Sequence, residues 1–169
     1  SIGIFREVAQ LAGVAKTDWS WAPLIADFDN DGWKDLFVSN GIYRDVRNND
    51  FLIEFAKKYE DGNQQFNALD ELAKIPQNGV NNYMFRNNGD LTFTKKMLDW
   101  GFDFPVNSNG AAYADLDNDG DLDLVLNNCN EEALIMENQS NATKYLAVAV
   151  EESELNRFGI GAKVHVVTS

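Results

Sequence analysis

The sequence predicts an all-β fold of short antiparallel strands arranged in repeated units, with a helical hairpin inserted into the first unit. Three observations predict it: an internal repeat, short apolar runs between polar turns, and one segment of helical period. The repeat is the strongest of these, because segment 26–36 recurs as 114–124 and Asp27 returns as Asp115, 88 positions later. An ungapped match of this length, extending from Phe5 onwards, is hard to obtain by chance.

A second, shorter offset follows Asn40. The run 83–87 resembles 134–138, only 51 positions later. The difference between the two offsets is an insertion in the first unit, between Asn40 and Tyr83. The basic unit of 51 residues lies within the range of propeller blades and other structural repeats.

The units consist of short predicted strands. Apolar runs that end at polar turns predict strands at 36–38, 83–86, 91–94, 124–126 and 134–136. Four short strands in each unit are typical of blades, a sandwich or a solenoid.

The insertion has a different period. Aromatic residues recur at every fourth position over 51–59, and apolar residues at every third position over 66–75. Gly62 separates the two stretches and a proline ends the second. Both predict short amphipathic helices, with Asn49 or Asp50 as the first N-cap.

Composition excludes several classes of function. In 169 residues, acids outnumber bases 27 to 14, which gives a net charge of −13 that repels nucleic acid. A single cysteine, Cys129, rules out a disulfide framework, and a single histidine, His165, argues against a histidine-rich metal centre. No apolar run has the length of a transmembrane segment, and we expect any targeting signal to lie upstream.

The strongest chemical signal is an acidic loop of form D-x-D-x-D-G-x-x-D in each unit. Carboxylates packed this closely repel one another, and Ca²⁺ relieves the repulsion by accepting six to eight oxygen ligands. The glycine permits the turn, and the seventh residue can add its backbone carbonyl. The predicted ligands for two Ca²⁺ ions are Asp27, Asp29, Asp31, Trp33, Asp35, Asp115, Asp117, Asp119, Asp121 and Asp123.

These loops begin as an EF-hand does but end differently. An EF-hand closes with a glutamate at position 12, where this chain has Val38 or Leu126 inside a predicted strand. Asp35 and Asp123 must close the loops instead. The alternative is a pair of ordinary Asx-rich turns, which two complete matches at equivalent positions make improbable. Recurrence in both units favours a structural ion over a catalytic one.

Segments 26–41, 83–94 and 110–128 resemble FG-GAP/VCBS repeats, the blades of integrin-α-like β-propellers. The chain is most similar to bacterial proteins related to cartilage acidic protein, and 156–164 looks like the opening of an ASPIC/UnbV region. The resemblance implies blades of an FG-GAP/VCBS-type β-propeller with a structural Ca²⁺ in each acidic loop. It also implies an extracellular, cell-surface or periplasmic location, where abundant calcium fills even weak sites.

Two units cannot close a ring of at least four blades, so we expect an incomplete ring from a longer chain. The predicted parts are the last strand of a preceding blade with its linker (1–20), a blade with calcium loop 27–35 and an insertion at about 42–80 (21–105), a second blade with calcium loop 115–123 (106–145), and the start of an ASPIC/UnbV-like β region (146–169). Open blade edges favour self-association.

Aromatic residues cluster in the segments predicted opposite the calcium loops. These candidate contacts for a protein or glycan are Trp19, Trp21, Tyr43, Trp100, Phe102 and Phe104. The alternative, which we favour for this cluster, is a small core packed beneath the insertion.

We therefore expect a non-enzymatic, calcium-binding propeller module for binding or scaffolding. The first alternative is the calcium-stabilised support domain of a carbohydrate-active enzyme of the polysaccharide lyase type. A third interpretation is a purely structural calcium repeat with no ligand of its own.

Overall fold

The computed structural model describes residues 4–45, 48–59, 68–140, 146, 148–151, 156 and 158–167. Its strands form two larger antiparallel sheets and one small pair. Sheet I has the order β1 (Ser20–Ala26), β2 (Asp35–Asn40), β4 (Tyr83–Asn87), β5 (Phe93–Lys95). Sheet II has the order β7 (Ser108–Ala114), β8 (Asp123–Asn128), β9 (Leu134–Met136). The small pair joins β3 (Val80–Asn81) to β6 (Pro105–Val106).

The two sheets repeat each other in register as well as in sequence. Ala26 pairs with Asp35 at the end of β1, and Ala114 pairs with Asp123 at the end of β7. Each first strand also carries a register irregularity near its start. Every predicted strand segment lies wholly or partly in an observed strand, so the mostly β, antiparallel architecture is confirmed.

The core lies between the two sheets. Sheet I contributes the buried side chains of Phe37 and Met84, and sheet II contributes Leu124 and Leu126. Phe102, from the segment that links the sheets, packs on Phe37 with 5.6 Å between ring centroids. Because side chains alternate along a strand, each sheet uses only one face in this core.

The insertion between β2 and β3 contains two helices, α2 (Asn49–Tyr59) and α3 (Ala68–Lys74). The Nζ atoms of Lys58 on α2 and Lys74 on α3 both bond to a carboxylate oxygen of Glu71. The predicted cap was wrong by one residue: the helix begins at Asn49, and the side chain of Asn48 accepts the amide of Phe51 at 3.1 Å. Gly62 and the start of the second predicted stretch lie outside the described residues.

The two ends of the chain have no strand in their described parts. Residues 9–12 form a single-turn helix, α1 (Ala9–Ala12), and residues 4–8 are irregular. The described residues of 146–167 are turns and irregular backbone. A strand from a preceding blade and the start of an ASPIC/UnbV-like region therefore stay predictions, as does closure into a propeller ring.

Candidate metal-binding loops

The two acidic loops connect the first and second strands of each sheet and share one backbone conformation. The fourth and sixth residues of each loop are left-handed: φ is 54° at Asn30 and 93° at Gly32, and 63° at Asn118 and 94° at Gly120. Asparagine and glycine tolerate this region better than other residues. The loop therefore curls back on its own first carboxylate.

The carboxylate of the first residue of each loop accepts hydrogen bonds from backbone amides of the same turn. Asp27 accepts the amides of Asp31 at 3.0 Å and Gly32 at 2.9 Å, and Asp115 accepts the amide of Gly120 at 3.2 Å. These bonds close each loop into a tight turn around its first carboxylate.

The carboxylate of the ninth residue joins each loop to the third strand of its own sheet, which is β4 in sheet I and β9 in sheet II. Asp35 is fully buried and accepts the amides of Phe28 at 3.0 Å and Asn87 at 2.9 Å. Asp123 repeats this arrangement, with the amides of Leu116 at 2.9 Å and Asn138 at 2.8 Å. Burial raises the pKa of the Asp35 carboxyl, against the lowering effect of its two amide donors.

Two asparagines also connect the loops to the third strands of their sheets, a role that the sequence analysis did not predict. The side-chain amide of Asn87 donates to the carbonyl of Lys34 at 2.9 Å, and that of Asn138 donates to the carbonyl of Leu122 at 3.3 Å. The sequence did carry a signal, since Asn87 and Asn138 correspond under the offset of 51 residues.

Each loop brings three carboxylates together. One oxygen from each of Asp27, Asp29 and Asp35 lies within 4.8 Å of the others, and Asp115, Asp117 and Asp119 form the second group. Both groups can hold a metal ion. All of these donors are oxygens, which are the ligands that hard cations such as Ca²⁺, Mg²⁺ and Mn²⁺ prefer.

The loops differ in the charge opposite them. Arg86 on β4 donates from Nε to Asp29 and from Nη2 to Asp31, both at 2.6 Å. Its counterpart under the offset of 51 residues is Glu137. The first loop therefore has its own cation, whereas the corresponding position of the second unit carries an acid.

Position 7 also differs between the loops. Trp33 is 53% exposed, whereas Asp121 is only 3% exposed and accepts the amide of Ser140 at 3.2 Å. Its other oxygen, Oδ1, is buried without a hydrogen-bond partner among the described residues. Burial, with the nearby charge of Asp119, raises the pKa of Asp121 to about 6.

The raised pKa of Asp121 predicts that the folding stability of the metal-free protein depends on pH. A carboxyl whose pKa is higher in the folded state than in the unfolded state disfavours folding once it ionises, so stability falls as the pH rises from about 4 to about 6. We expect Asp121→Asn to raise the melting temperature of chelator-treated protein at pH 7.5 and to reduce the difference between pH 5 and pH 7.5. Thermal melts at both pH values test this. An unchanged difference in the variant would contradict it.

The predicted aromatic contacts separate into two groups. Phe102 is buried in the core and Trp100 packs against it, so Phe102 cannot form part of a contact surface. The indole of Trp21 is 54% exposed and donates to the carbonyl of Gly41 at 2.6 Å. Trp19, Tyr43 and Phe104 are half-buried.

Part of the chain matches a known protein-family model. Residues 61–126 match the model of the FG-GAP-like repeat. This part of the chain is thus similar to an FG-GAP-like repeat. The match includes the whole second acidic loop, while the first loop lies outside it and is related to the second by its register and hydrogen bonds.

FG-GAP repeats are typical of extracellular proteins. No curated protein matches this chain. Among the described residues, no helix combines the length and apolar character needed to cross a membrane.

Proposed function

We propose that this chain is a calcium-stabilised, non-enzymatic module of an FG-GAP-type β-propeller that serves binding or scaffolding in a secreted or cell-surface protein. The observation that carries the proposal is the duplicated loop, in which clustered carboxylates lie beside an aspartate that bonds to the third strand of its sheet. An ion held there stabilises the connection between three strands of one sheet.

Calcium is the ion that best fits these loops. The ligands are carboxylates on an irregular, hydrogen-bonded turn, and Ca²⁺ accepts irregular oxygen cages, whereas Mg²⁺ requires near-ideal octahedral geometry. An extracellular location supports the same choice, because sites of modest affinity are filled at millimolar calcium.

A structural role for the ion follows from the bonds that the ligands already make. Asp27 and Asp35 each bind two backbone amides, so they position the chain as well as an ion. In the second loop Asp123 also binds two amides and Asp115 binds one, and a catalytic centre is rarely needed twice. We also propose that the chain is related to cartilage acidic protein and that an ASPIC/UnbV region begins near its end. Both parts of the proposal are supported by the sequence resemblance alone.

The proposed partner is a protein or a glycan that binds at the end of sheet I opposite the first acidic loop. Trp21 supplies an exposed indole there, and Arg44 lies over the ring of Tyr43 with 5.0 Å between Cζ and the ring centroid. Exposed aromatic faces stack on sugar rings and form hot spots in protein interfaces.

One observation favours the alternative of a support domain in a carbohydrate-active enzyme. A cavity of about 710 Å³ opens between the sheets. Arg86, Trp100 and Glu137 line it together with apolar core residues. A cleft with an aromatic side chain and both signs of charge suits a sugar, so glycan binding that is lost in Trp100→Ala would support this alternative.

Calorimetric titration of Ca²⁺ into chelator-treated protein tests the metal assignment. We expect two sites and a higher melting temperature, with Asp29→Asn and Asp117→Asn each weakening one site. Asp50→Asn, which alters an exposed residue at the start of α2, is the matched control. Absence of binding in the folded wild type, or an equal response to Mg²⁺, would overturn the calcium assignment.

A further inference from the structure

The two acidic loops are in direct contact with each other. The side chain of Asn30 in the first loop donates from Nδ2 to the carbonyl of Gly120 in the second loop at 3.3 Å. The amide of Gly120 in turn donates to Asp115 at 3.2 Å. Asn30 directly follows Asp29, and both Asp29 and Asp115 belong to the carboxylate groups that can hold a metal ion. This contact therefore connects the two candidate metal sites.

A second connection between the loops passes through Asn138. Its side-chain amide donates to the carbonyl of Phe28 in the first loop at 2.7 Å. Its backbone amide donates to Asp123 at 2.8 Å, and the backbone amide of Phe28 donates to Asp35 at 3.0 Å. Three hydrogen bonds therefore connect the closing carboxylates of the two loops, Asp35 and Asp123.

Asn87, the repeat counterpart of Asn138, makes the same bonds within its own unit. Each asparagine donates its backbone amide to the ninth carboxylate and its side-chain amide to the carbonyl of the eighth loop residue. Each also accepts the amide of the residue two positions later. Among the residues that the structure describes, Asn138 alone of this pair also donates to the opposite loop. The chain thus contains a natural control for this bond.

We propose that Asn30 and Asn138 are positioning residues that couple the two metal loops, so that Ca²⁺ binding at either loop raises the affinity of the other. This inference rests on the proposed function, because it requires both loops to bind Ca²⁺. The physical reason is conformational entropy: an occupied loop restricts its carboxylates and the backbone that they bind. The shared hydrogen bonds extend this restriction to the second loop, which then loses less freedom when it binds its own ion. The coupling is reciprocal by thermodynamic linkage.

Calorimetric titration of Ca²⁺ into chelator-treated protein measures the coupling when two single-loop variants are included. Asp29→Asn with Asp31→Asn disables the first loop, and Asp117→Asn with Asp119→Asn disables the second. Asparagine preserves the side-chain oxygens that accept amides within each turn. The coupling factor is the overall association constant of the wild type for both ions, divided by the product of the two single-loop constants. It equals unity for independent loops.

The expected coupling factor of the wild type is roughly fivefold or more. The same set of titrations with Asn138→Ala added to each chain should give a factor closer to unity. Asn87→Ala is the matched control, since it removes the bonds within the unit and leaves the connection between the loops intact. Repulsion between the two ions contributes equally in all of these backgrounds, because the substitutions at positions 87 and 138 are neutral.

A second variant tests the other connection and does not depend on the folding of Asn138→Ala. Asn30→Gly removes the bond to Gly120 at a position where φ is 54°, a conformation that glycine adopts readily. Asn118→Gly makes the same change in the second loop, where φ is 63°. The factor should fall in Asn30→Gly and stay at its wild-type value in Asn118→Gly.

Amide hydrogen exchange gives a readout that a purely structural role for Asn138 would not change. When the second loop is disabled, Ca²⁺ fills the first loop alone. Exchange of the backbone amide of residue 138, which binds Asp123, should then become severalfold slower on addition of Ca²⁺. Asn138→Ala in the same background should remove this slowing.

The outcomes separate this inference from the calcium assignment. A coupling factor of unity or less in wild-type protein that binds two ions would overturn the inference and leave the calcium assignment in place. A factor that neither Asn138→Ala nor Asn30→Gly changes would also overturn it. Absence of Ca²⁺ binding at both loops would overturn the calcium assignment and the inference together.

Discussion

Replacement of Asp35 by alanine is expected to lower the free energy of unfolding by roughly 3–5 kcal/mol. The variant leaves the amides of Phe28, which is buried, and of Asn87, which is partly buried, without their acceptor, and each unsatisfied buried group costs about 1–3 kcal/mol. Asp123→Ala should have a similar effect, because Asp123 binds the corresponding two amides in sheet II. Urea unfolding in the presence of a chelator measures this cost apart from any contribution of a bound ion.

Two further variants make this prediction specific. Asp35→Asn keeps one acceptor oxygen and should lose roughly half as much stability as the alanine variant. Lys34→Ala changes an exposed neighbour in the same loop and should stay within about 0.5 kcal/mol of wild type. If Asp35→Ala and Lys34→Ala unfold at the same urea concentration, the buried carboxylate does not join the loop to the third strand.

Replacement of Arg86 by glutamine is expected to strengthen Ca²⁺ binding at the first loop by roughly fivefold. The guanidinium of Arg86 occupies oxygens of Asp29 and Asp31, so an incoming cation must compete with it. The expected change corresponds to the ~1 kcal/mol of an exposed ion pair. Wild-type protein should therefore show unequal sites, with the second loop binding more tightly. Calorimetry on variants that retain a single loop measures each affinity.

The reciprocal exchange tests the same cause at the other loop. Glu137→Arg gives the second loop the residue that the first one has, and should weaken Ca²⁺ binding there by a similar factor. Lys96→Gln removes a cation that pairs with Asp99 and should leave both sites unchanged. Equal affinities of the two loops in wild-type protein would show that Arg86 does not act as a competing cation.

The predicted strand segments, insertion helices and clustered carboxylates are confirmed because they rest on local spacing. Strand segments, acidic loops and insertion helices each depend on residues a few positions apart, and an internal repeat supplies a second copy against which each can be checked. The predicted N-cap of α2 was wrong, because Asn48, Asn49 and Asp50 are all acceptable N-cap residues. The choice among them depends on where the first turn of the helix begins.

Side-chain contacts between different strands could not be predicted from the sequence. Arg86 reaches Asp29 from another strand, and the burial of Asp121 depends on the backbone near Ser140. The aromatic cluster likewise separated only in three dimensions, with Phe102 in the core and Trp21 on the surface. The local sequence pattern around Phe102 and Trp21 does not indicate which of the two side chains is buried.

The sequence by itself determined the repeat, the strand segments and the two carboxylate loops, because periodicity and turn chemistry act over a few residues. The tertiary structure alone decided which loop has an internal cation and which carboxylates are buried. These properties arise when strand pairing brings together residues 50 or more positions apart in the chain, such as Asp35 and Asn87. Strand pairing places Arg86 beside the first loop, and two loops of nearly identical sequence therefore become chemically different.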